Sequence, residues 1–149
     1  MSIVIVEYED FFLEQVVKIF EESLGEDRQS TLSCIEAHTN SKESRCWLAV
    51  EDKTVLGILA FSFEKWNKIG RVGMIGVSPA SKGKGVGKSL MEQAKKYAKS
   101  VELRKIYVDT DESNINAQIF YIKCGYFPEY SMKDYYEPGL AGITFSLYV

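Results

Sequence analysis

The chain has 149 residues, of which 46% are hydrophobic and 26% charged, and its formal net charge is −3. A chain of this length forms one domain with a core of its own, here residues 1–149, and this composition excludes a disordered or fibrous protein. The acidic balance argues against a general nucleic-acid-binding protein, because such proteins carry a positive surplus that displaces counterions from phosphates.

The N-terminal part of the chain alternates strand-like and helix-like patterns. Ile3 to Glu7 is a short β-branched run, and residues 10–24 place apolar side chains at helical spacing up to Gly25. Residues 26–40 are mostly polar and predict a second, less regular helix or a helix and a loop. This segment contains His38, which we expect to be a surface residue and not a catalytic base.

A β-meander is predicted next. Residues 46–50 and 55–63 are strand-like, and the segment between them, residues 51–54, has the composition of a hairpin turn. A third strand over residues 71–77 extends the meander. These three strands are expected to be antiparallel.

The second half of the chain begins with an amphipathic helix that starts at Val86, after a glycine-rich loop. Residues 106–108 predict a buried strand. Ser113 is expected to cap a helix that runs to Lys123, and Gly125 to end it in a left-handed conformation.

The chain closes with two predicted strands, residues 126–130 and 142–149, separated by a tyrosine-rich loop through residues 135–139. The last strand either finishes an intramolecular sheet or pairs across a dimer, so a monomer and a homodimer both stay open. The order of elements predicts an α/β fold with a mixed sheet.

The N-terminal residues and the cysteines indicate the cellular compartment of the protein. The first residues carry neither a basic segment nor a long apolar run, so we expect no signal peptide, no membrane span and a cytoplasmic protein. Cys34, Cys46 and Cys124 are odd in number, far apart and without metal-ligand spacing. Reduced thiols are therefore expected in place of a disulfide framework or a metal site.

The most distinctive stretch, residues 74–91, has the pattern of a strand, a Gly/Lys loop and a helix. Gly83, Gly85 and Gly87 let the backbone turn sharply and direct several N–H groups at one point, and the helix adds the positive end of its dipole. The pattern predicts a site for an anion, such as a pyrophosphate. The same loop also carries Lys82, Lys84 and Lys88.

Two common nucleotide-binding loops do not fit this stretch. A Walker A loop has four residues between its first glycine and Gly-Lys-Ser, whereas Gly83 leaves three before Gly87-Lys88-Ser89. A dinucleotide fingerprint has the spacing Gly-x-Gly-x-x-Gly, which the loop does not match.

Two motifs instead carry a family resemblance. Val77-Ser-Pro79 precedes Lys82-x-x-Gly85-x-Gly87, and further along the chain Asn114, Ala117, Tyr121 and Gly125-Tyr126 stand in register. With these motifs, and with its order of elements from Ile3 to Val149, the chain resembles the GNAT family of acetyl-CoA-dependent N-acetyltransferases. Lys82 departs from the Gln or Arg of the family, and lysine lacks the planar fork of arginine.

The resemblance implies a GNAT-type fold. Such a fold has a mixed, mostly antiparallel sheet of about six to seven strands with a splayed central parallel pair, and helices on both faces. It also implies that acetyl-CoA, as cosubstrate, lies in the splayed gap, with no metal required. The implied contacts to acetyl-CoA are the strand edge Ile75, Gly76 and Val77, the loop Lys82, Gly83, Lys84, Gly85, Val86, Gly87 and Lys88, and, from the other side, Asn114.

The implied reaction is direct attack of a primary amine on the thioester. Tyr121 occupies the general-acid position of the family, and a backbone N–H near Ile75 or Gly76 would stabilise the oxyanion. Asp109 aligns with a glutamate of some protein N-terminal acetyltransferases and is the candidate general base, acting through a water. The alternative for Asp109, with Asp111 and Glu112, is a solvated acidic start of the next helix.

The acceptor site is predicted from composition. Residues 26–40, 64–67 and 130–138 would form an acidic, tyrosine-rich rim that suits a cation. A peptide N-terminus, a lysine side chain, a polyamine and an aminoglycoside all fit this description, and residues 133–139 resemble a loop of enzymes that acetylate protein N-termini. The alternative function is a non-catalytic acyl-CoA-binding sensor or scaffold module.

Overall fold

A computed structural model describes residues 2–149. Within them, seven strands form one sheet in the order β1-β2-β3-β4-β5-β7-β6. The strands are β1 (Val4–Glu7), β2 (Ser44–Glu51), β3 (Thr54–Glu64), β4 (Ile69–Val77), β5 (Lys105–Asp111), β6 (Phe127–Glu137) and β7 (Leu140–Tyr148). The α-helices are α1 (Leu13–Ile19), α2 (Arg28–Thr39), α3 (Val86–Ser100) and α4 (Ile115–Lys123).

The helices cover the two faces of the sheet and create two cores. On the α1/α2 face, Val16 and Phe20 are fully buried against β2 and β3. On the α3/α4 face, Leu90 and Ile106 are fully buried together with Phe145 of β7. This burial of apolar side chains on both sides stabilises the sheet as the central layer.

Strands β4 and β5 form the parallel pair, and they separate partway along. Their pairing runs from Ile69 opposite Lys105 to Val72 opposite Val108 and extends no further within the described residues. Both strands then continue, β4 to Val77 and β5 to Asp111. A gap therefore opens in the middle of the sheet.

A β-bulge in β4 lies at the point where the gap opens. Phe61 of β3 pairs with Val72 and Ala60 pairs with Met74, so Gly73 is an extra residue. Val72 packs in the α3/α4 core, whereas Met74 packs against the α1/α2 core. An extra residue shifts the alternation of side chains and increases the local twist, which turns β4 away from its unbulged neighbour β5.

Most predicted elements are confirmed, with four differences. The helix over residues 10–24 consists of a 3₁₀ turn (Asp10–Phe12), α1 and a π-helical turn (Phe20–Leu24), and it ends at left-handed Gly25 as expected. Residues 26–40 contain the regular helix α2, whose N-cap Asp27 accepts a hydrogen bond from the Ser30 amide.

The other two differences lie in the second half of the chain. The prediction that Ser113 caps α4 is wrong: Asn114 is the N-cap, and the Ser113 hydroxyl donates to Asp111. The predicted loop over residues 135–139 is also wrong, because β6 continues to Glu137 and only a tight turn precedes β7. Gly125 does adopt a left-handed conformation, with φ 94°.

The fold class is confirmed as α/β with a mixed, mostly antiparallel sheet, a splayed parallel pair and helices on both faces. Strand β7 pairs with β5 on one side and β6 on the other, so the last strand finishes the sheet and β6 forms its edge. All three cysteines are free thiols. No helix in residues 2–149 combines the length and apolar character needed to cross a membrane.

Candidate active site

A cavity of about 770 Å³ fills the opening between β4 and β5, and we call it the gap cavity. It extends from the glycine-rich loop to α4 and contains almost all of the predicted site. Its predicted lining residues are Ile75, Gly76, Val77, Lys82, Gly83, Gly85, Val86, Gly87, Lys88, Asn114, Tyr121 and Asp109. Lys84 lies outside this lining and is exposed.

The glycine-rich loop ends in a backbone arrangement suited to an anion. Gly83 and Gly85 have φ of 78° and 81°, in the left-handed region that favours glycine. Gly85 is the N-cap of α3 and provides no side-chain acceptor, and the first turn contains no acidic residue. The amides of Val86, Gly87 and Lys88 therefore begin a 15-residue helix without the carboxylate that often neutralises such an end.

Gly87 has a different role from the one predicted. It lies inside α3 and does not turn the chain. A Cβ at Gly87 would lie 3.0 Å from the Phe120 ring, so the missing side chain lets α4 approach α3. Gly87 thus sets the width of the gap cavity, while Gly83 and Gly85 set the course of the loop.

The π-helical turn closes one end of the gap cavity. The Ser23 hydroxyl donates a 2.6 Å hydrogen bond to the carbonyl oxygen of Val77, the last residue of β4. Leu24 lies against Gly76, where a Cβ would be 3.1 Å from the leucine side chain. Sequence reasoning missed both residues because helical periodicity over residues 10–24 does not reveal a π-turn.

Tyr121 lies on α4 and is 5% exposed, with its ring packed near those of Tyr126 and Phe145. Its hydroxyl makes no hydrogen bond to another residue in the described part of the chain. Burial raises the pKa of Tyr121 above that of a free phenol. A neutral phenol that lines the gap cavity can act as a proton donor.

Asp109 lies at the other side of the mouth and belongs to two cavities. It lines the gap cavity and also a cavity of about 500 Å³ on the uncovered face of β5, β6 and β7, which we call the open-face cavity. Its Oδ1 accepts a 2.6 Å bond from the Thr144 hydroxyl. Its Oδ2 accepts from Tyr135 Oη at 3.3 Å and from Arg71 at 3.4 Å.

These donors bear on the role predicted for Asp109. Three protein donors hold the carboxylate in one orientation and use both of its oxygens. The carboxylate is therefore held in place, and its charge is already paired with that of Arg71. Its action as a general base stays a prediction.

The open-face cavity includes only part of the predicted acceptor rim. Glu64, Asn67, Tyr130 and Tyr135 line it as expected, whereas the residues 26–40 do not. Arg71 and Tyr107, which sequence reasoning missed, extend from β4 and β5 into the same cavity. A second ion pair, Lys105 with Glu129 at 2.5 Å, lies at its far end. The rim therefore carries charges of both signs.

In comparison with known proteins, a family model described as acetyltransferase (GNAT) family matches residues 9–126 of the chain. The matched range includes the bulge, the glycine-rich loop and α4. Within residues 2–149, no group of three or more His, Cys, Asp or Glu side chains is arranged to hold a metal ion.

The curated relatives share one description. The chain is 36% identical over 87 residues to streptothricin acetyltransferase from Escherichia coli, a match covering 58% of this chain and 49% of that protein. It is 28% identical over 112 residues to streptothricin acetyltransferase from Streptomyces lavendulae, covering 74% of this chain and 57% of that protein. The chain thus spans about half the length of the curated relatives it matches.

A solved structure extends the likeness over the full chain. A candidate streptothricin acetyltransferase from Bacillus anthracis, in complex with acetyl coenzyme A, superposes with a TM-score of 0.84 at 22% identity. The superposition covers 100% of this chain and 99% of that one. Similarity at this level of identity shows that the two chains have the same fold.

Proposed function

The chain belongs to the acetyltransferase (GNAT) family, and on that premise we propose that it transfers the acetyl group of acetyl-CoA to a primary amine by direct attack. The observation that carries the proposal is the gap cavity itself. It joins an unneutralised helix N-terminus to a buried phenol and a carboxylate, through an opening in the sheet. The family resemblance drawn from two sequence motifs is confirmed by the family match.

The gap cavity supports a specific placement of acetyl-CoA. Its pyrophosphate would bind the amides of Val86, Gly87 and Lys88, with Lys82 and the Lys88 side chain adding positive charge. Its pantetheine would lie along β4 from Gly73 to Val77, where the strand has no pairing partner on the β5 side in the described structure. Backbone groups left unpaired in this way need hydrogen bonds.

The thioester end of the cavity supports the assignment of the acid. Attack by a neutral amine forms a C–N bond and breaks the C–S bond, so the leaving thiolate needs a proton. The proposed donor is Tyr121, and the amine supplies the proton that restores it. The oxyanion would be stabilised by a backbone N–H near Ile75 or Gly76.

The open-face cavity supports a cationic acceptor. Asp109 faces it with an oriented carboxylate, and Tyr107, Tyr130 and Tyr135 surround it with aromatic surface. An ammonium group binds well at such a site, through the ion pair and through the faces of the rings. The name shared by the curated relatives favours a small cationic amine of the streptothricin class over a protein N-terminus or a lysine side chain.

The test is acetyl-CoA turnover, measured by thiol release, over streptothricin, polyamines, aminoglycosides, lysine peptides and N-terminal peptides. Calorimetric binding of CoA is measured beside it. We expect CoA binding and turnover with a small cationic amine. CoA binding with no turnover on any amine would favour the acyl-CoA sensor, which the departure at Lys82 also allows. Absence of CoA binding would overturn the assignment of the gap cavity.

A further inference from the structure

His38, the one histidine of the chain, reaches from α2 to the bulge of β4. Its ring lies so close to Gly73 that a Cβ there would be 3.1 Å from Nε2 and 3.5 Å from Cε1. The side chain is half-buried, so it is only partly exposed at the surface. Gly73 lines the gap cavity, and the ring lies directly beside this glycine, although His38 itself is not part of that lining.

The hydrogen bond of the ring fixes which nitrogen is free. Nδ1 lies 2.8 Å from the carbonyl oxygen of Cys34, one turn earlier in α2. A carbonyl oxygen can only accept, so Nδ1 carries the hydrogen and donates it. In the neutral ring, Nε2 then holds a lone pair, and no described residue donates a hydrogen bond to it. The lone pair is directed at the bulge.

The bulge places Nε2, the ring atom nearest to Gly73, beside the residue at which the gap opens. Val72 and Val108 form the last pair of the two parallel strands, so Gly73 and Asp109 are the first residues after the strands separate. Val108 packs in the α3/α4 core, and so Asp109 extends to the opposite face, the one that carries His38. His38 therefore lies beside Gly73 of β4, and Asp109 extends from the neighbouring strand β5 on the same face of the sheet.

The two groups differ in what they can accept. Both oxygens of Asp109 already receive hydrogen bonds from Thr144, Tyr135 and Arg71. Nε2 of His38 receives none within the described residues. The carboxylate is already fixed by three donors, whereas Nε2 of the imidazole is free to take a proton.

We propose that His38 Nε2 is the proton acceptor for the acceptor amine, directly or across one water, and that Asp109 anchors the ammonium beside it. The inference rests on the proposed acetyl transfer. The protonated amine R–NH₃⁺ gives one proton to Nε2 and becomes R–NH₂, whose lone pair attacks the thioester carbon. The C–N bond forms and the C–S bond breaks. The second amine proton passes to Tyr121, which has protonated the leaving thiolate.

The proton also has a path away from the site. On its far side, His38 lines a third cavity of about 460 Å³ between the end of α2 and strands β1 and β2. Glu7, Glu9 and Ser41 line the same cavity and are exposed to solvent. After it has taken a proton from the amine, the imidazole can therefore release that proton to water in this third cavity, and the acceptor amine need not leave first.

The first test is His38→Asn. Asparagine keeps a donor at the position of Nδ1, so the bond to Cys34 can persist, but it has no atom at Nε2. We expect kcat to fall about 10²–10⁴-fold, with KM for acetyl-CoA and the thermal midpoint near those of the wild type. His38→Gln is the second variant, in case the first folds poorly. Asp109→Asn is the contrasting variant, and we expect it to raise KM for the amine.

Chemical rescue separates proton transfer from packing. Added imidazoles and pyridines of similar size and rising pKa are tested on His38→Ala. If His38 is the base, the rescued rate increases with the pKa of the added compound. If the ring only fills space beside Gly73, rescue follows size and does not depend on pKa, and the inference is overturned.

A readout independent of turnover comes from ¹⁵N chemical shifts of the single histidine in the full chain. We expect the neutral ring to carry its proton on Nδ1, and a proton on Nε2 would overturn the inference. Wild-type turnover with an unchanged rate in His38→Asn would overturn the inference and leave the proposed function intact. A wild type that neither binds CoA nor acetylates any amine would overturn both.

Discussion

Tyr121 is the residue on which the proposed chemistry depends most directly. Tyr121→Phe removes one oxygen from a buried ring and keeps the packing against Tyr126 and Phe145. Because the role proposed for the hydroxyl is proton transfer and not the binding of acetyl-CoA, we expect kcat to fall about 10²–10³-fold, while KM for acetyl-CoA stays within about twofold. Steady-state kinetics with the best amine of the panel measure both constants.

The matched control is Tyr126→Phe, on the same core. Tyr126 is also buried, and its hydroxyl has no hydrogen-bond partner among the described residues. Its removal should leave kcat unchanged and stabilise the fold slightly, because an unpaired buried hydroxyl is costly. Equal kcat in the wild type and Tyr121→Phe would rule out Tyr121 as the acid.

Gly142 controls the acceptor side through one steric contact. A Cβ at this position would lie 2.7 Å from Cδ2 of Tyr135, whose hydroxyl bonds Asp109. Gly142→Ala should therefore displace Tyr135 and raise KM for the amine several-fold, with KM for acetyl-CoA unchanged. Tyr135→Phe removes only the hydroxyl and should also raise KM for the amine. An effect on acetyl-CoA alone would contradict this assignment of Tyr135 to the acceptor side.

At the scale of elements, two glycines with positive φ distinguish two effects of a substitution in the loop before α3. One effect is the loss of CoA binding, and the other is the backbone strain that a side chain causes at any such glycine. Gly85 and Gly139 have φ of 81° and 87°, and a Cβ at either would meet no atom within 4 Å. Alanine at either position should lower the free energy of unfolding by about 1 kcal/mol, because a side chain disfavours this conformation.

The two substitutions should differ in ligand binding. Gly85 is the N-cap of α3 and lines the gap cavity, whereas Gly139 lies in the turn between β6 and β7. We expect Gly85→Ala to weaken CoA binding by calorimetry and Gly139→Ala to leave it unchanged. Equal CoA affinity in both variants would show that the loop backbone does not hold the pyrophosphate.

The elements also show which features a sequence can predict. The strands of the meander and the helix α3 follow from local alternation and helical spacing, so the sequence predicts them to within a few residues. The loop around Gly83 and Gly85 is equally local, since left-handed turns favour glycine. Tyr121 and Asn114 were found because a motif fixes their spacing on one short helix.

The features that the sequence did not predict depend on contacts between distant segments. The bulge at Gly73 is visible only once β3 has set the register of β4. Arg71 lines the open-face cavity because β4 and β5 are parallel neighbours over a few residues, and His38 lies beside the bulge because α2 packs there. No local pattern encodes these three positions.

At the scale of the whole molecule, the gap between β4 and β5 connects the two faces of the sheet. The gap cavity meets the open-face cavity at Asp109, and α3 and the π-helical turn border it at the loop end. In the proposed function, two substrates approach from opposite sides and meet where Val72 and Val108 end their pairing. The same opening ends the hydrogen bonding between β4 and β5 within the described residues.

Two tyrosines, Tyr136 at the gap cavity and Tyr8 after β1, make the stability of the molecule sensitive to alkaline pH. Burial, the main cause, raises the pKa of Tyr136 to about 12. Burial, with a contribution from Asp10, also raises the pKa of Tyr8 to about 12. A free tyrosine has a pKa of about 10. Between these values the unfolded chain has lost protons that the native chain retains, so the free energy of unfolding falls as pH rises.

We therefore expect urea midpoints to be steady from pH 8 to about 9.5 and to decrease progressively above pH 10. The stabilising contribution is fully present below the unfolded pKa and is lost as pH rises toward the native one. Tyr8→Phe combined with Tyr136→Phe should flatten the decrease, because phenylalanine does not titrate, while lysine deprotonation affects both proteins alike. A decrease of equal steepness in the double variant would show that the lysines and other groups, and not these two phenols, set the alkaline limit of the fold.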